Sequence, residues 1–380
     1  MGPLAGVTII ELAGIGPAPF CSMLLADMGA NIIRIDRARG DEPGIRLPYR
    51  MNVMNRGRRS LSVNLKSPAG IATVLKLIEQ ADAFIEGFRP GVTERLGLGP
   101  EACLARNPRL IYGRMTGYGQ DGPLASVAGH DINYIALSGV LSMIGERDRK
   151  PVAPLNLVGD FGGGGMFLAF GVVCGILEAR ASGKGQVIDC AMVEGAAMLA
   201  NVFNSFRALG QLEPRRGANI LDGGAHFYDT YETRDGGYIG VGAIEPQFYK
   251  RLLELLELPP AEFEPQMDKT RWPAWKVRFT EVFQAKTRAE WGSILEHEEA
   301  CAMPILSLDE AAAHPHNRAR GTYVEFAGVE QVAPTPRFSR TPARLQQPPP
   351  EPGEHTDAVL AEFGFSAEEI ATLRAALAVS

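Results

Sequence analysis

Apolar runs of strand length alternate with helical spacings from the start of the chain. Residues 7–11, then a helical pattern over 17–28, then 31–36 form one such unit; 60–65 followed by a helix form the next. That rhythm predicts βαβ units and a parallel sheet. The helix after Leu65 is expected to open with Ser67 as N-cap and Pro68 at its first position, where an oxygen acceptor and a residue lacking an N–H both fit, and to run to about Gln80. Further strands over 83–86 and 109–115 extend a doubly wound α/β domain across at least the first third.

Beyond residue 227 the pattern changes. Tyr228-Asp229-Thr230-Tyr231-Glu232 and Tyr238-Ile239-Gly240-Val241 flank the turn dipeptide Asp235-Gly236 and predict a hairpin, the start of a smaller α+β domain. Pro246 begins a helix with Phe248, Leu252, Leu255 and Leu256 on one face, stopped by Pro259-Pro260. Residues 348–352 are a proline-rich, stiff connector. After it, Ser366 and Glu369 form a capping box flanked by the staple pair Phe365 and Ile370.

Composition narrows the class. A chain of 380 residues exceeds what one core holds, so two domains are expected. A net charge of −6 argues against nucleic acid or an anionic membrane as partner, since both require a basic surface. Any anionic ligand must then be held by local groups. The five cysteines are scattered among apolar neighbours with no C-x-x-C pair, which reads as reduced, buried thiols. The apolar stretch 166–177 is glycine-broken and shorter than the ~20 residues of a membrane span. With no charged leader and no targeting signal in the last residues, a cytoplasmic protein is expected.

Few residues carry chemistry. His130, in Ala128-Gly129-His130-Asp131-Ile132-Asn133-Tyr134, follows a glycine that admits close backbone approach, and free imidazole titrates near neutrality. The competing reading is a cap for the following helix. Asp160 ends the strand-like run Leu157-Val158-Gly159-Asp160 before four glycines and a long apolar helix, where backbone N–H groups can meet an anion; its competing reading is again a cap. Glu245 precedes the helix begun by Pro246, either as an acidic helix terminus or as a carboxylate that orients a histidine. His226 stands beside the hairpin as a structural or pocket-lining residue; His297, His314, His316 and His355 read as surface or loop features. Arg37, Arg39, Arg56, Arg58, Arg59, Lys66, Arg89 and Arg95 fall near expected carboxyl ends of parallel strands, where open α/β sheets hold nucleotides. Neither a G-x-G-x-x-G dinucleotide motif nor a P-loop is present.

Taken together, Glu11-Leu12-Ala13-Gly14-Ile15-Gly16-Pro17, Glu86-Gly87-Phe88-Arg89-Pro90-Gly91-Val92, Gly129-His130-Asp131-Ile132-Asn133-Tyr134, Asn156-Leu157-Val158-Gly159-Asp160-Phe161, Leu221-Asp222-Gly223-Gly224-Ala225 and Gly242-Ala243-Ile244-Glu245-Pro246 resemble the α-methylacyl-CoA racemases of the family III CoA-transferase superfamily. The likeness covers nearly the whole chain and weakens after about Pro336. It implies an interlocked homodimer. Each subunit would have a Rossmann-like large domain from both chain ends (1–190 and 330–380) and a small α+β domain (215–325). The active site would lie between the large domain of one subunit and the small domain of the other, which would bring Glu245 to His130 across the dimer. By the same resemblance, Arg37, Val63, Asn64, Leu65, Lys66, Gly87, Phe88, Arg89 and Arg95 hold the nucleotide part of coenzyme A. Gly129, Asp131, Ile132, Asn133 and Tyr134 would meet its pantetheine and acyl portions.

Inversion of a carbon needs one acid/base group on each face. The resemblance therefore implies His130 and Asp160 as the pair, Glu245 orienting His130, and backbone N–H donors near Asp160 stabilising the thioester enolate. The substrate would be a 2-methylacyl-CoA, with coenzyme A as part of it and no separate cofactor or metal. His226 and Ala302-Met303-Pro304 depart from the family pattern and are expected at the acyl pocket. A family III CoA-transferase with Asp160 as nucleophile, and a silent acyl-CoA-binding protein, are the alternatives.

Overall fold

The computed structural model describes residues 2–37 and 47–380. Six parallel strands make one sheet: β1 (Thr8–Leu12), β2 (Asn31–Arg37), β3 (Arg58–Val63), β4 (Ala83–Glu86), β5 (Ile111–Thr116) and β6 (Gln186–Ala191), in the order β3-β2-β1-β4-β5-β6. Successive residues point to opposite faces, and the two faces are both apolar. Ile9, Ile32, Ile85 and Ile111 enter one core cluster. Their neighbours Ile10, Ile33, Phe84 and Tyr112 enter another. Strand order reverses between β1 and β4, the place where such sheets bind ligands.

The expected strands and helices of this sheet appear within one or two residues. The Pro68–Ile78 helix has Ser67 at its N-cap and Pro68 in its first turn, although the Ser67 hydroxyl makes no capping bond. Strand β6 was not legible, because its first four residues face solvent or are only half covered and carry no apolar alternation.

The described chain divides into two units, Met1–Ser138 with Leu155–Leu199 and Ala319–Ser380, and Gly139–Pro154 with Ala200–Arg318. The segment Gly139–Pro154 thus leaves the larger unit to which its position in sequence assigned it. Arg216 donates to the Ser142 carbonyl at 3.4 Å, and Gly217 packs so closely on Arg147 that a Cβ would lie 2.7 Å from its nitrogen. The chain's last segment returns to β3. His355 donates its N–H to Ser60 O at 2.9 Å, Asn64 donates to Ala378 O at 2.9 Å, and Val359, Leu360 and Phe363 join the sheet's core. The capping box forms, with Glu369 N–H donating to Ser366 Oγ at 3.1 Å and Ser366 N–H to Glu369 Oε2 at 2.6 Å.

In the smaller unit, β7 (Tyr228–Glu232), β8 (Tyr238–Gly242) and β9 (Ala302–Pro304) form an antiparallel sheet over an aromatic core of Phe227, Tyr249, Trp272, Trp275, Phe279, Phe283 and Trp291. A separate hairpin, β10 (Tyr323–Phe326) with β11 (Val329–Val332), belongs to the larger unit.

Two expectations change. Cys21, Cys103 and Cys190 are buried, but Cys174 and Cys301 are exposed, all five unpaired. The strand-like run ending at Asp160 is helical, and it joins the following helix into one run, Leu157–Ser182, of 26 residues, with a mean hydropathy of 1.6 in an 18-residue window. By length and composition alone that run could cross a membrane. In the fold it lies on the sheet, burying Leu168, Ala169, Val172, Gly175, Ile176 and Ala179, with Gly113 of β5 against Leu168 and Val172.

Candidate active site

The run's first nine residues, Leu157–Gly165, wind as widened π-type turns, a form that recurs at functional sites. Glycines permit it, and they also let neighbouring backbones touch. A Cβ on Gly195 would lie 1.8 Å from Gly163 O, and one on Gly165 would lie 2.7 Å from both Pro17 O and the Phe20 ring. Main-chain contact with the Met192–Leu199 and Pro17–Asp27 helices therefore fixes this segment. Asp160 projects from it toward the β1 turn, where a Cβ on Gly16 would lie 3.1 Å from Asp160 Oδ2. The carboxyl thus sits over the strand-order reversal, within the helical run rather than as its cap.

Asp160 is half-buried, and Asn156 Nδ2 donates to its Oδ2 at 3.2 Å. Burial pushes its pKa up, the Asn156 bond pulls it down, the Asp131 charge pushes it up and His130 pulls it down, for a net rise. The rise makes this carboxyl a weaker acid than an exposed aspartate.

His130 is the N-cap residue of the Asp131–Leu137 helix and is exposed. Its backbone N–H donates to Asn133 Oδ1 at 3.0 Å, one half of a capping box whose other half sets the His130 side chain toward the Asn133 N–H. Asp131 is buried, and its Oδ1 accepts the N–H groups of Gly159 and Asp160, each at 2.7 Å. Those are two of the first four N–H groups of the Leu157–Ser182 run, which a helix cannot satisfy internally. They are consequently not free to stabilise an enolate, contrary to the sequence-based expectation. Tyr134 is also buried, its hydroxyl donating to Gly129 O and its ring filling the space a Cβ at Gly117 or Gly129 would need. Burial pushes its hydroxyl up to about 12. Ile132 and Asn133 are exposed.

The basic and glycine-bearing candidates mostly gather on one edge. Arg37 ends β2 and is paired in register with Val63, which ends β3; Asn64, Leu65 and Lys66 follow, and Gly87, Phe88 and Arg89 follow β4. Arg37, Lys66, Gly87, Arg89 and Arg95 are exposed. The charge of Arg89 reaches Tyr134. Behind this rim stands Glu86, which the sequence reading passed over. Its Oε2 accepts the Phe88 N–H at 2.7 Å and its Oε1 the Arg114 Nε–H at 3.0 Å, while burial pushes its carboxyl up to about 7. A carboxylate closing a fully buried strand needs such partners, and that was the available signal.

Three arginines do not join this rim. Arg58 and Arg59 begin β3, at the opposite edge. Arg58 is fully buried and paired with Glu11 at 2.7 Å, Arg59 pairs with Glu362, and Arg56 pairs with Asp27 at 2.6 Å. Buried ion pairs consume the charge of Arg56 and Arg58, and a surface pair engages Arg59. Arg39 lies outside the described residues.

In the smaller unit, Glu245 is the exposed N-cap residue of the Pro246–Leu255 helix, and its side chain makes no capping bond. Its approach is held by Gln266, another residue not singled out from sequence, whose Nε2 donates to Ala243 O at 3.0 Å and Ile244 O at 2.9 Å. His226 lines no pocket. It is completely buried among Phe227, Tyr249, Phe263, Trp275 and Phe279, and burial pushes its imidazole down to about 3. Ala302 is likewise buried in β9, while Met303 is exposed.

A parallel sheet of this strand order, with Asp160 over its reversal point, is an open α/β fold with a ligand edge. The chain belongs to CoA-transferase family III, whose profile matches residues 4–356. It is 47% identical over 372 residues to alpha-methylacyl-CoA racemase of Mus musculus, covering 97% of this chain and 96% of that one. The corresponding protein of Homo sapiens is 46% identical over 369 residues, covering 97% and 95%. Among solved structures, a CAIB/BAIF family protein from Brucella suis superimposes with a TM-score of 0.81 at 28% identity, covering 95% of this chain and 99% of that one.

Proposed function

We propose that this protein interconverts (2R)- and (2S)-2-methylacyl-CoA thioesters. Near-full-length similarity to two racemases supports this, together with one observation in the fold: the backbone bearing Asp160 is bonded to the residue beside His130, so two acid/base side chains share one rim. In one direction the imidazole of His130 takes the proton on the carbon beside the thioester carbonyl. The C–H electrons move onto the thioester oxygen as an enolate, and Asp160 gives its proton to the opposite face. For the other epimer the two groups exchange roles. Arg37, Lys66, Arg89 and Arg95 would hold the phosphates of coenzyme A, which enters as part of the substrate, and no separate cofactor is assigned.

The reading includes a homodimer in which Glu245 of the partner subunit orients His130. Support comes from the Met166–Ser182 helix, where Met166, Phe170, Cys174 and Leu177 follow helical spacing and all remain exposed. A single apolar stripe of this kind calls for a covering surface.

Incubation with one epimer of a 2-methylacyl-CoA in heavy water, without any acceptor acid, tests the function. Deuterium should enter at the α-carbon with loss of optical purity. Transfer of coenzyme A to an added acid, with no exchange in its absence, would make the protein a transferase; neither reaction would leave only binding.

A further inference from the structure

Asp131 stands between the two acid/base groups in a way the proton-transfer scheme does not use. It follows His130 directly and is the first residue of the Asp131–Leu137 helix. Its Oδ1 takes both the Gly159 and the Asp160 N–H at 2.7 Å, although those residues lie 28 and 29 positions further along the chain. The contact is tight, since a Cβ on Gly159 would lie 2.6 Å from that same oxygen. The second oxygen, Oδ2, is buried and has no hydrogen-bond partner among the described residues. Only one edge of the carboxylate is thus compensated, and in a poorly polarisable surrounding the rest of its charge acts on nearby groups.

We propose that Asp131 is a positioning residue for the acid/base pair: its carboxylate ties the main chain of Asp160 to the helix that His130 opens, and sets a buried oxygen between the two. This rests on the racemase reading above. The bond to the main chain sets where Asp160 can reach, because the acid's own backbone N–H is held. The charge acts in a definite direction, since a negative neighbour makes it harder for Asp160 to lose a proton.

Two variants separate anchoring from charge. Asp131→Asn keeps an oxygen that can accept both N–H groups and removes the charge; Asp131→Ala removes both. With α-proton exchange in wild-type protein as reference, the limb of the kcat/KM pH profile set by Asp160 should move to lower pH in Asp131→Asn by about one unit, the size of a neighbouring-charge effect. In Asp131→Ala, kcat should fall by on the order of 10²-fold with little change in KM, the cost of misplacing a reacting group by about 1 Å. An Asp131→Asn profile that superimposes on that of wild type, in protein that melts normally, overturns the proposal even if Asp131→Ala is unfolded. Wild-type protein that exchanges no α-proton refutes the racemase reading first and this inference with it.

Discussion

His226 Nε2 lies 2.6 Å from the Tyr249 hydroxyl at the centre of an aromatic cluster. That hydroxyl also donates to Phe263 O at 3.2 Å, so its single hydrogen is spent and the imidazole must be the donor through Nε2. Nδ1 is buried with no partner among the described residues. A second proton there would find no acceptor, which is why burial holds the imidazole down at about 3. The unfolded chain binds that proton near pH 6.5 and the folded chain does not, so stability is lost as pH falls from 6.5 toward 3. The loss at the acid end is on the order of a few kcal/mol. Denaturant titrations at pH 7 and 4.5 should show a smaller acid penalty for His226→Gln than for wild type; equal penalties would contradict the assignment.

Removal of the proposed base should leave the fold alone. His130 is exposed at the helix N-cap, and its backbone N–H bond to Asn133 Oδ1 does not need the imidazole. His130→Ala should therefore cost no more than the roughly 1 kcal/mol of a lost helix cap. Its α-proton exchange should fall by roughly 10²–10⁴-fold, the usual contribution of a positioned base. Exchange near the wild-type rate, measured by mass spectrometry of the recovered thioester, would remove His130 from the reaction.

Arg89 is exposed on the rim beyond β4 and is expected to touch phosphate rather than the reacting carbon. Arg89→Ala should raise KM for the acyl-CoA by about tenfold, the loss of one charge-assisted bond, with kcat little changed. A fall in kcat at constant KM would place the residue at the chemistry instead.

Gly195 tolerates no side chain, because its Cβ would overlap Gly163 O. Gly195→Ala should cost about 1–3 kcal/mol or more as the two helical segments are forced apart. Any folded fraction should exchange poorly, since Asp160 moves with its backbone. Thermal melting and heavy-water exchange on the same preparation check both parts; a stable, active variant would show that the segment can shift.

The sheet was legible because alternation of strand and helix periods is local, and Ser67-Pro68, Ser366 and Glu369 mark boundaries by local chemistry. What escaped depends on distance in sequence. Nothing near Asp131 announces that its carboxylate will meet the N–H groups of residues 159 and 160, or that a strand-like Leu157-Val158-Gly159-Asp160 becomes helical once those N–H groups are taken. Arg56 and Arg58 read as ligand-facing for the same reason, since Asp27 and Glu11 become their partners only when the sheet forms. His226 has aromatic neighbours from four separated segments, of which only Phe227 adjoins it in sequence.

Because the Gly163–Gly195 contact is peptide against peptide, the location of the acid depends little on what side chains surround it. Exposed side chains such as Met303 in the other unit could be exchanged without moving the Asp160 backbone. Side-chain composition and the placement of that carboxyl would then be separately adjustable in this scaffold, the first by ordinary mutation and the second hardly at all.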